Sequence, residues 1–258
     1  MKRDRQTVVI TGCTSGIGKA LCELYRAAGD TVVGLSRSAD GEDDVAVDVT
    51  DTAALREAIG GIGRKYGRID TVIACAGGGL SGATELLPIE EIQKQIDLNF
   101  TGALETVRAA LEYMQPGGRA VFISSACALF ALPYRAMYCA SKAAVNMAAF
   151  GLYMELKKIG IRVTTVCPGD IKTGFTANRI KYSDGGERYG DAPKASADKI
   201  DGREHKRMEL IPAAKRIYKC CGKCRKPLYI VGAKYKFLNF LRHVLPQKLF
   251  LDVTAKLF

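Results

Sequence analysis

The sequence predicts a single α/β domain with a doubly wound parallel sheet of about seven strands and a C-terminal helical extension. Short apolar runs alternate with longer helical patterns along the 258 residues, and no internal repeat interrupts them. That alternation is typical of a parallel sheet with helices on both faces. The chain is 48% hydrophobic, which is enough to bury one core of this size. We therefore expect residues 1–258 to form one domain.

Continuous apolar runs mark the strands, and amphipathic segments between them mark the helices. The predicted strands cover residues 7–10, 31–35, 45–47, 71–74, 120–124, 162–167 and 228–231. The predicted helices cover residues 17–28, 52–65, 89–114 and 135–158. Pro88 suits the first turn of the third helix, where its missing N–H is not needed.

The last third of the chain differs in composition. Residues 176–207 are rich in charge and glycine, and they predict a substrate loop or a mobile lid. Residues 233–258 mix apolar and basic side chains, which predicts an amphipathic extension with Pro246 between two helices. We interpret this tail as a cap over a substrate cleft or as part of a dimer contact. Peripheral contact with a membrane surface is the alternative.

Charge and cysteine content limit the classes of partner and compartment. The net charge of +11 divides into −2 for residues 1–150 and +13 for residues 151–258. A solvated surface, an anionic substrate and an acidic membrane all remain open, whereas no nucleic-acid-binding module accompanies the charge. The nine cysteines are an odd number and lie mainly in apolar segments. We expect reduced thiols and a cytoplasmic protein without a signal peptide or membrane span.

A glycine-rich turn follows the first predicted strand and opens the first predicted helix. The free N–H groups and the positive dipole end of such a helix bind phosphate. Gly12 permits the tight turn, while Gly16 and Gly18 allow close approach of a ligand and of the sheet. The residues predicted to hold a nucleotide at this turn are Gly12, Thr14, Ser15, Gly16, Ile17 and Gly18.

A second pattern lies downstream. Tyr138 precedes Lys142 by four positions, and Ser125 follows a predicted strand thirteen positions before the tyrosine. Residues four apart share a helix face, and a nearby ammonium lowers the pKa of a tyrosine, which is ordinarily near 10. A phenol with a lowered pKa suits general acid–base catalysis. A second Tyr-x-x-x-Lys pair, Tyr153 and Lys157, has no strand-end serine before it, and we interpret it as a helix-surface pair.

These motifs, with Thr11 before the glycine turn, resemble the short-chain dehydrogenase/reductase family over about residues 7–175. The resemblance implies a Rossmann-like fold, a nicotinamide cofactor and an oxidoreductase that acts on CH–OH groups. It implies that Tyr138 is the general acid and base, and that Lys142 lowers its pKa and binds the nicotinamide ribose. Ser125 would then hold the substrate oxygen.

The same resemblance assigns further positions. It implies that Asn99 supports a proton-relay water. The remaining cofactor contacts that it implies are Asp48, Val49, Ala76, Gly77, Tyr138, Lys142, Pro168, Gly169, Ile171 and Thr173. Residues 74–77 read Ala-Cys-Ala-Gly where the family has Asn-Asn-Ala-Gly, so we expect altered local hydrogen bonding there.

The end of the second strand bears on the choice of cofactor. Family members that select NAD carry an acidic residue there, whereas this chain has Ser36 and Arg37. A guanidinium can bind a 2′-phosphate through two hydrogen bonds. We therefore predict a preference for NADP(H) over NAD(H), with a solvent-facing Arg37 as the alternative.

The pattern as a whole predicts an NADP(H)-dependent oxidoreductase that interconverts a secondary alcohol and a ketone. Family members with apolar, basic C-terminal extensions suggest a lipid-like substrate such as a steroid, a bile acid or a long-chain keto compound. The alternatives are a non-catalytic NADP-binding sensor or scaffold, and a reductase of acyl thioesters, sugars or activated double bonds.

Two further expectations concern metal and assembly. Three cysteines at residues 220–224, with His205 and His243 elsewhere, do not match the four-ligand spacing of a zinc site, so we expect no metal. The family resemblance implies a homodimer or homotetramer, paired through the helices that carry Asn99 and Tyr138.

Overall fold

A computed structural model describes residues 5–202 and 207–257 of the protein. Within these ranges the chain forms nine strands and ten helices. The strands are β1 (Thr7–Thr11), β2 (Thr31–Ser36), β3 (Val45–Ala46), β4 (Thr71–Ala74), β5 (Leu80–Ser81), β6 (Arg119–Ile123), β7 (Arg162–Pro168), β8 (Ile180–Lys181) and β9 (Leu228–Val231). The helices are α1 (Gly16–Ala27), α2 (Thr52–Tyr66), α3 (Ile89–Ile96), α4 (Gly102–Leu111), α5 (Ala136–Lys157), α6 (Gly186–Tyr189), α7 (Ala192–Asp201), α8 (Leu210–Lys223), α9 (Ala233–Val244) and α10 (Gln247–Leu257).

Seven strands form one parallel sheet in the order β3-β2-β1-β4-β6-β7-β9. All seven were predicted, and their bounds differ from the prediction by a residue or so. The strand order reverses between β1 and β4, and open α/β sheets bind ligands in the crevice at such a reversal. The predicted doubly wound α/β fold is therefore confirmed.

Two apolar layers cover the two faces of the sheet. On one face, Val9, Phe122 and Val145 belong to a core beneath α2, α4 and α5. On the other face, Leu21 and Ile217 belong to a core beneath α1 and α8. Side chains buried on both faces explain why the strands read as continuous apolar runs.

The predicted single helix over residues 89–114 is divided in the structure. A π-helical segment, Asp97–Thr101, separates α3 from α4, and α4 ends at Leu111. The wider turn surrounds Asn99, whose side chain is fully buried. A local π-helix of this kind often marks a functional site. Helical periodicity could not reveal it, because one extra residue per turn barely changes the apolar pattern.

The predicted loop at residues 176–207 contains regular structure. β8 pairs in parallel with β5, with Ile180 opposite Leu80, and α6 and α7 follow. Residues 203–206 lie outside the described ranges. The segment is therefore anchored to the chain that leaves β4, rather than being a bare connection.

The predicted tail forms two helices, α9 and α10, with Pro246 between them. Leu238 and Phe250 are buried in a third apolar cluster, while Phe237 and Phe240 are exposed. Across the described ranges we find no helix with the length and apolar character needed to span a membrane.

Candidate active site

The turn after β1 has a shape that requires glycine. Gly12 has a φ of +73° and donates its N–H to the Leu35 carbonyl at 2.7 Å. A Cβ on Gly18 would overlap the carbonyl oxygen of Gly12. Ser15 begins α1 in an extended conformation, and its side chain makes no capping bond within the described chain. The first N–H groups of α1 thus stay available to an anion, so the turn fits a nucleotide phosphate.

Three contacts join this turn to neighbouring segments. The Thr14 hydroxyl lies 3.0 Å from that of Ser36 at the end of β2. Thr173, after β7, lies 3.6 Å from the position of a Cβ on Gly16. Ile17 packs against the core beneath α1. The predicted cofactor residues of three separate segments therefore meet at one turn.

Arg37, Asp48 and Val49 lie along the same cleft. Arg37 is exposed, and Val49 is buried against Gly102 of α4. Burial acts to raise the pKa of Asp48, but hydrogen bonds from Thr50 and the charge of Arg37 bring it below its usual range. Arg37 is thus a cation close enough to influence the adjacent carboxylate, at the position where the 2′-phosphate was predicted to bind.

The backbone after β4 is held without the two asparagines of the related motif. The Thr11 hydroxyl accepts the N–H groups of Cys75 and Ala76 at 3.0 and 3.1 Å. The Asn99 amide accepts the Gly78 N–H at 2.9 Å and donates to the Gly78 carbonyl at 3.0 Å. These bonds satisfy the N–H groups of Cys75, Ala76 and Gly78 and the Gly78 carbonyl.

Asn99 also reaches the helix that carries the tyrosine. Its amide donates to the Ser141 hydroxyl at 3.0 Å, and that hydroxyl donates to the Tyr138 carbonyl at 2.8 Å. A Cβ on Gly77 would lie 2.9 Å from the Asn99 Oδ1 and 3.2 Å from the Lys142 Nζ. Asn99 and Lys142 therefore face the same stretch of backbone, where only glycine leaves enough room.

Ser125 and Tyr138 line the cleft at the end of β6 and in the first turn of α5. The Ser125 Oγ accepts the Cys127 N–H at 3.1 Å. The Tyr138 ring lies 5.8 Å from the ring of Phe175. Burial, reinforced by the Cys127 thiol, raises the pKa of Tyr138, while hydrogen bonding from Ser125 acts to lower it.

Lys142 is 4% exposed, and its ammonium donates to the Ile123 carbonyl at 3.2 Å. Burial lowers the pKa of Lys142 to about 8, although the Cys75 and Cys167 thiols oppose the shift. The predicted lowering of the Tyr138 pKa is therefore not found with the protein groups alone. Burial penalises both the phenolate and the ammonium, and it is the largest cause of both shifts.

The segment after β7 carries the last predicted contacts. Gly169 donates its N–H to the Val231 carbonyl at 2.9 Å, and a Cβ on Gly169 would overlap the ring of Tyr235. The Tyr235 hydroxyl donates to Asp170. Pro168 also lines the cleft, and Ile171 bridges to Met208. The C-terminal extension is thus packed directly against this segment.

Sequence reasoning missed several residues that line the same cleft, which has a volume of about 730 Å³. They are Cys127, Arg135, Phe175, Arg179, Arg207 and Tyr235. Arg135 could have been found, because it lies only three residues before Tyr138, immediately before α5. Arg179 and Tyr235 carry no local signal, since their positions depend on how later segments fold back.

The second Tyr-x-x-x-Lys pair and the cysteine group of residues 220–224, which we did not assign to the active site, do not line the cleft. Tyr153 packs against the core beneath α5, and Lys157 is exposed. Cys221 and Cys224 are buried at the end of α8. Within the described ranges no group of His, Cys, Asp or Glu side chains is arranged to hold a metal ion, and His205 lies outside those ranges.

Comparison with known proteins extends this picture. Residues 6–183 match the sequence profile of the family described as short chain dehydrogenase. A 3-ketodihydrosphingosine reductase of Bacteroides thetaiotaomicron is 37% identical over 180 residues, which cover 67% of each chain. Dehydrogenase/reductase SDR family member 7B of Rattus norvegicus is 28% identical over 271 residues, which cover 96% of this chain and 80% of the relative.

Solved structures show the same fold over nearly the whole chain. A short-chain dehydrogenase from Streptomyces avermitilis has a TM-score of 0.82 at 25% identity, with coverage of 98% of this chain and 96% of the other. A short chain dehydrogenase/reductase from Burkholderia phymatum in complex with NAD has a TM-score of 0.81 at 20% identity, with coverage of 94% of both chains. An alcohol dehydrogenase from Thermococcus sibiricus complexed with 5-hydroxy-NADP has a TM-score of 0.72 at 21% identity, with coverage of 90% and 98%.

The family match covers well over half of the chain, including the glycine turn, Ser125, Tyr138 and Lys142. The seven-stranded sheet and the curated relatives agree with it. This protein belongs to the short-chain dehydrogenase family and is an oxidoreductase enzyme.

Proposed function

We propose that the protein is an NADP(H)-dependent oxidoreductase that interconverts a secondary alcohol and a ketone on a lipid-like substrate. One observation carries the proposal: Ser125 and Tyr138 line the same cleft as the glycine turn, and the buried Lys142 follows Tyr138 by one helical turn. A nucleotide held at the turn and a carbonyl held at Tyr138 would share one cavity. This supports catalysis over a sensor or scaffold, which has no need of the three polar groups.

The chain's own residues account for the movement of the proton. A bound nicotinamide would supply the hydride that adds to the carbonyl carbon. Tyr138 gives its hydroxyl proton to the carbonyl oxygen, and the Ser125 hydroxyl donates a hydrogen bond that stabilises the charge developing there. Asn99 holds the Gly78 backbone against α5. We propose that in this position it supports a water molecule that relays protons.

Tyr138 has the protonation state that ketone reduction requires of a general acid. Burial raises the pKa of Tyr138, so the site holds a neutral phenol that is ready to act as an acid. An alkoxide is more basic than a phenolate, so transfer of the proton to the product oxygen remains downhill. Oxidation needs the phenolate first, and a dry site makes that form costly.

The cofactor preference rests on Arg37. The Ser36 and Arg37 side chains stand where a carboxylate would repel a 2′-phosphate, and both line the cleft. An exposed guanidinium loses little hydration when it binds a phosphate, and it can donate two parallel hydrogen bonds. These features support NADP(H) over NAD(H).

The proposed substrate class rests on the apolar lining beyond Tyr138. Side chains from several elements form this lining: Leu80, Leu98, Phe130, Leu132, Phe175, Ile180 and Ile200. Such a surface suits an extended hydrocarbon more than a sugar. The relative from Bacteroides thetaiotaomicron is named for a keto lipid, which agrees with this class.

A Tyr138→Phe variant tests the proposal, with Tyr153→Phe as its matched control on the same helix. Removal of a general acid costs about a hundredfold to ten-thousandfold in turnover, whereas NADPH binding should persist. NADPH absorbance would be followed with ketones, acyl thioesters, aldoses and activated alkenes. The assignment is supported if the protein reduces ketones, if Tyr138→Phe abolishes this turnover and if Tyr153→Phe preserves it. Equal turnover in both variants would contradict it.

Two surfaces suggest partners and a location. Met147 and Met154 are 70% and 66% exposed on α5, seven residues apart on one face, which suits pairing of two copies through this helix. Phe237 and Phe240 are exposed on α9 next to lysines, which suits peripheral contact with an anionic membrane. The nine free thiols favour a reducing compartment such as the cytoplasm.

A further inference from the structure

Three arginines line the cleft apart from the nucleotide turn. Arg135 immediately precedes α5, Arg179 immediately precedes β8, and Arg207 precedes α8. None of them belongs to the glycine turn, to the end of β2 or to the segment after β7. The cleft therefore has a second cationic region besides Arg37.

Arg179 is almost fully buried, and its hydrogen-bond partners satisfy only part of its guanidinium group. Its side chain is 4% exposed, and Nη2 donates to Asp201 at 3.1 Å. Its Nη1 is buried without a hydrogen-bond partner in the described chain, and so is Nη2 of Arg135. A buried donor that gives up water without a new acceptor destabilises the fold. Two such donors at one cleft favour an acceptor that is not among the described residues, and a bound anion would supply one.

The charges around Arg179 also favour a bound anion. Burial and the charge of Arg135 lower the pKa of Arg179 to about 10; Asp201 opposes the shift, and Arg207 adds to it. Asp201 is shared, because Lys181 also donates to it at 2.6 Å. One carboxylate thus serves two cations, and in the described ranges Arg135 has no ion pair. A ligand anion would relieve this repulsion.

The carboxylates that line the cleft already have partners. Two hydrogen bonds from Thr50 reach Asp48, Lys94 pairs with Glu91 at 2.8 Å, and the Tyr235 hydroxyl donates to Asp170. None of these bonds involves an arginine of the cluster. Arg207 donates to the Thr176 hydroxyl at 2.8 Å and to the Ile200 carbonyl at 3.0 Å, and both of these acceptors are uncharged. The three arginines that line the cleft therefore carry more positive charge than the neighbouring carboxylates described here neutralise.

The arginine cluster is close to the catalytic tyrosine. The Arg179 Cγ and the Phe175 ring lie 3.0 and 3.2 Å from the position of a Cβ on Gly79, and the Phe175 ring lies 5.8 Å from that of Tyr138. Arg135 is one helical turn before Tyr138, and its charge acts to lower the tyrosine pKa. An anion held by the cluster would belong to the molecule whose carbonyl meets Tyr138.

We propose that the substrate carries an anionic group, a carboxylate or a phosphate monoester, which Arg135, Arg179 and Arg207 bind while its apolar chain lies along the cleft. The inference rests on the proposed function for the carbonyl chemistry. Both groups offer two oxygens to one guanidinium, and the buried position strengthens each bond. A substrate with an ammonium group at this place would be repelled.

Binding of molecules without a carbonyl tests the subsite independently of turnover. Octanoate and octyl phosphate would be titrated into protein saturated with NADPH, so that the nucleotide phosphate sites are filled. Arg179→Met should weaken binding by about tenfold to a hundredfold, the loss expected for charge-assisted hydrogen bonds. Lys181→Met is the matched control, because Lys181 shares Asp201 but does not line the cleft. It should bind as the unaltered protein does.

Turnover provides the second arm. Methyl ketones of five to ten carbons would be compared with the same ketones bearing a carboxylate, a phosphate or an ammonium at the far end. The best anionic ketone should exceed its neutral counterpart at least tenfold in kcat/KM. Arg179→Met should remove that advantage, and Lys181→Met should preserve it. The carboxylate and phosphate series distinguish the two anions.

The outcomes separate the two hypotheses. If neutral ketones are reduced but neither anion binds better to the unaltered protein than to Arg179→Met, the subsite is refuted and the proposed function stands. If octyl phosphate binding depends on Arg179 but no ketone is reduced, the subsite stands and the proposed function fails. Arg135→Met, at a half-buried position, repeats the test should Arg179→Met not fold, as judged by its melting temperature and NADPH binding.

Discussion

Replacement of Lys142 by methionine should make the protein more stable and inactive. The ammonium is almost fully buried, and burial lowers the pKa of Lys142 from 10.5 to about 8. This pKa difference means that the charged form of Lys142 lowers the free energy of unfolding by about 3 kcal/mol. Methionine has a similar unbranched shape and no charge. The lost hydrogen bond to the Ile123 carbonyl costs about 1 kcal/mol, which leaves a net gain of about 2 kcal/mol at neutral pH.

The pH dependence identifies the cause. Below pH 8, Lys142 is charged in both the folded and the unfolded chain, and the folded state bears the whole penalty. Between about pH 8 and 10.5 the folded chain releases this proton first, so the unfolded chain binds more protons and stability rises with pH. The stability advantage of Lys142→Met should therefore shrink across this window.

Urea denaturation at a series of pH values measures the free energy of unfolding of both proteins. The contributions of the other titrating groups cancel in the difference between the two. NADPH-linked ketone reduction would be assayed on the same samples. A Lys142→Met protein that is less stable than the parent at pH 7, or a stability difference that stays constant up to pH 10.5, would refute the reasoning. Either result would mean that the lysine is solvated or paired in solution.

Three further predictions concern the cofactor and the surfaces. Arg37→Ala should raise the KM for NADPH about tenfold to a hundredfold and that for NADH little, as steady-state kinetics would show; equal changes would contradict the 2′-phosphate contact. Met147→Lys with Met154→Lys should convert dimers to monomers in sedimentation velocity without lowering the melting temperature, and an unchanged mass would exclude this face. Phe237→Ser with Phe240→Ser should abolish co-sedimentation with phosphatidylserine vesicles but leave turnover intact, and undiminished binding would exclude the α9 surface.

The sheet could be predicted because each of its strands is a short apolar run between turn residues, and the parallel arrangement follows from the helices between them. Two local motifs could also be predicted: the turn from Gly12 to Gly18, and the pattern of Ser125, Tyr138 and Lys142. Their spacing along one strand, turn or helix sets their geometry. Local periodicity places such residues without knowledge of the rest of the fold.

The parts that could not be predicted depend on contacts distant in sequence. Arg179 reaches the cleft because β8 pairs with β5, about a hundred residues away, and each of these strands has only two residues. Tyr235 reaches it because Gly169 leaves space for an aromatic ring from α9. Neither feature has a periodic signature. The sequence therefore predicted a substrate loop at residues 176–207 and a cap from the tail, but not which of their residues reach the cleft.

Other side chains hold the backbone after β4, where this chain lacks the two asparagines of the related motif. Thr11 and Asn99 satisfy the backbone that those side chains would otherwise hold, so the strand end keeps its shape. What changes is the polarity beside Lys142: Cys75 is a poor hydrogen-bond acceptor, and burial raises the pKa of its thiol to about 12, which keeps it neutral. An amide at that position would offer the ammonium an oxygen. Without it, the hydrogen-bond acceptor that the described residues offer the Lys142 ammonium is the Ile123 carbonyl, which is consistent with the lowered pKa of Lys142.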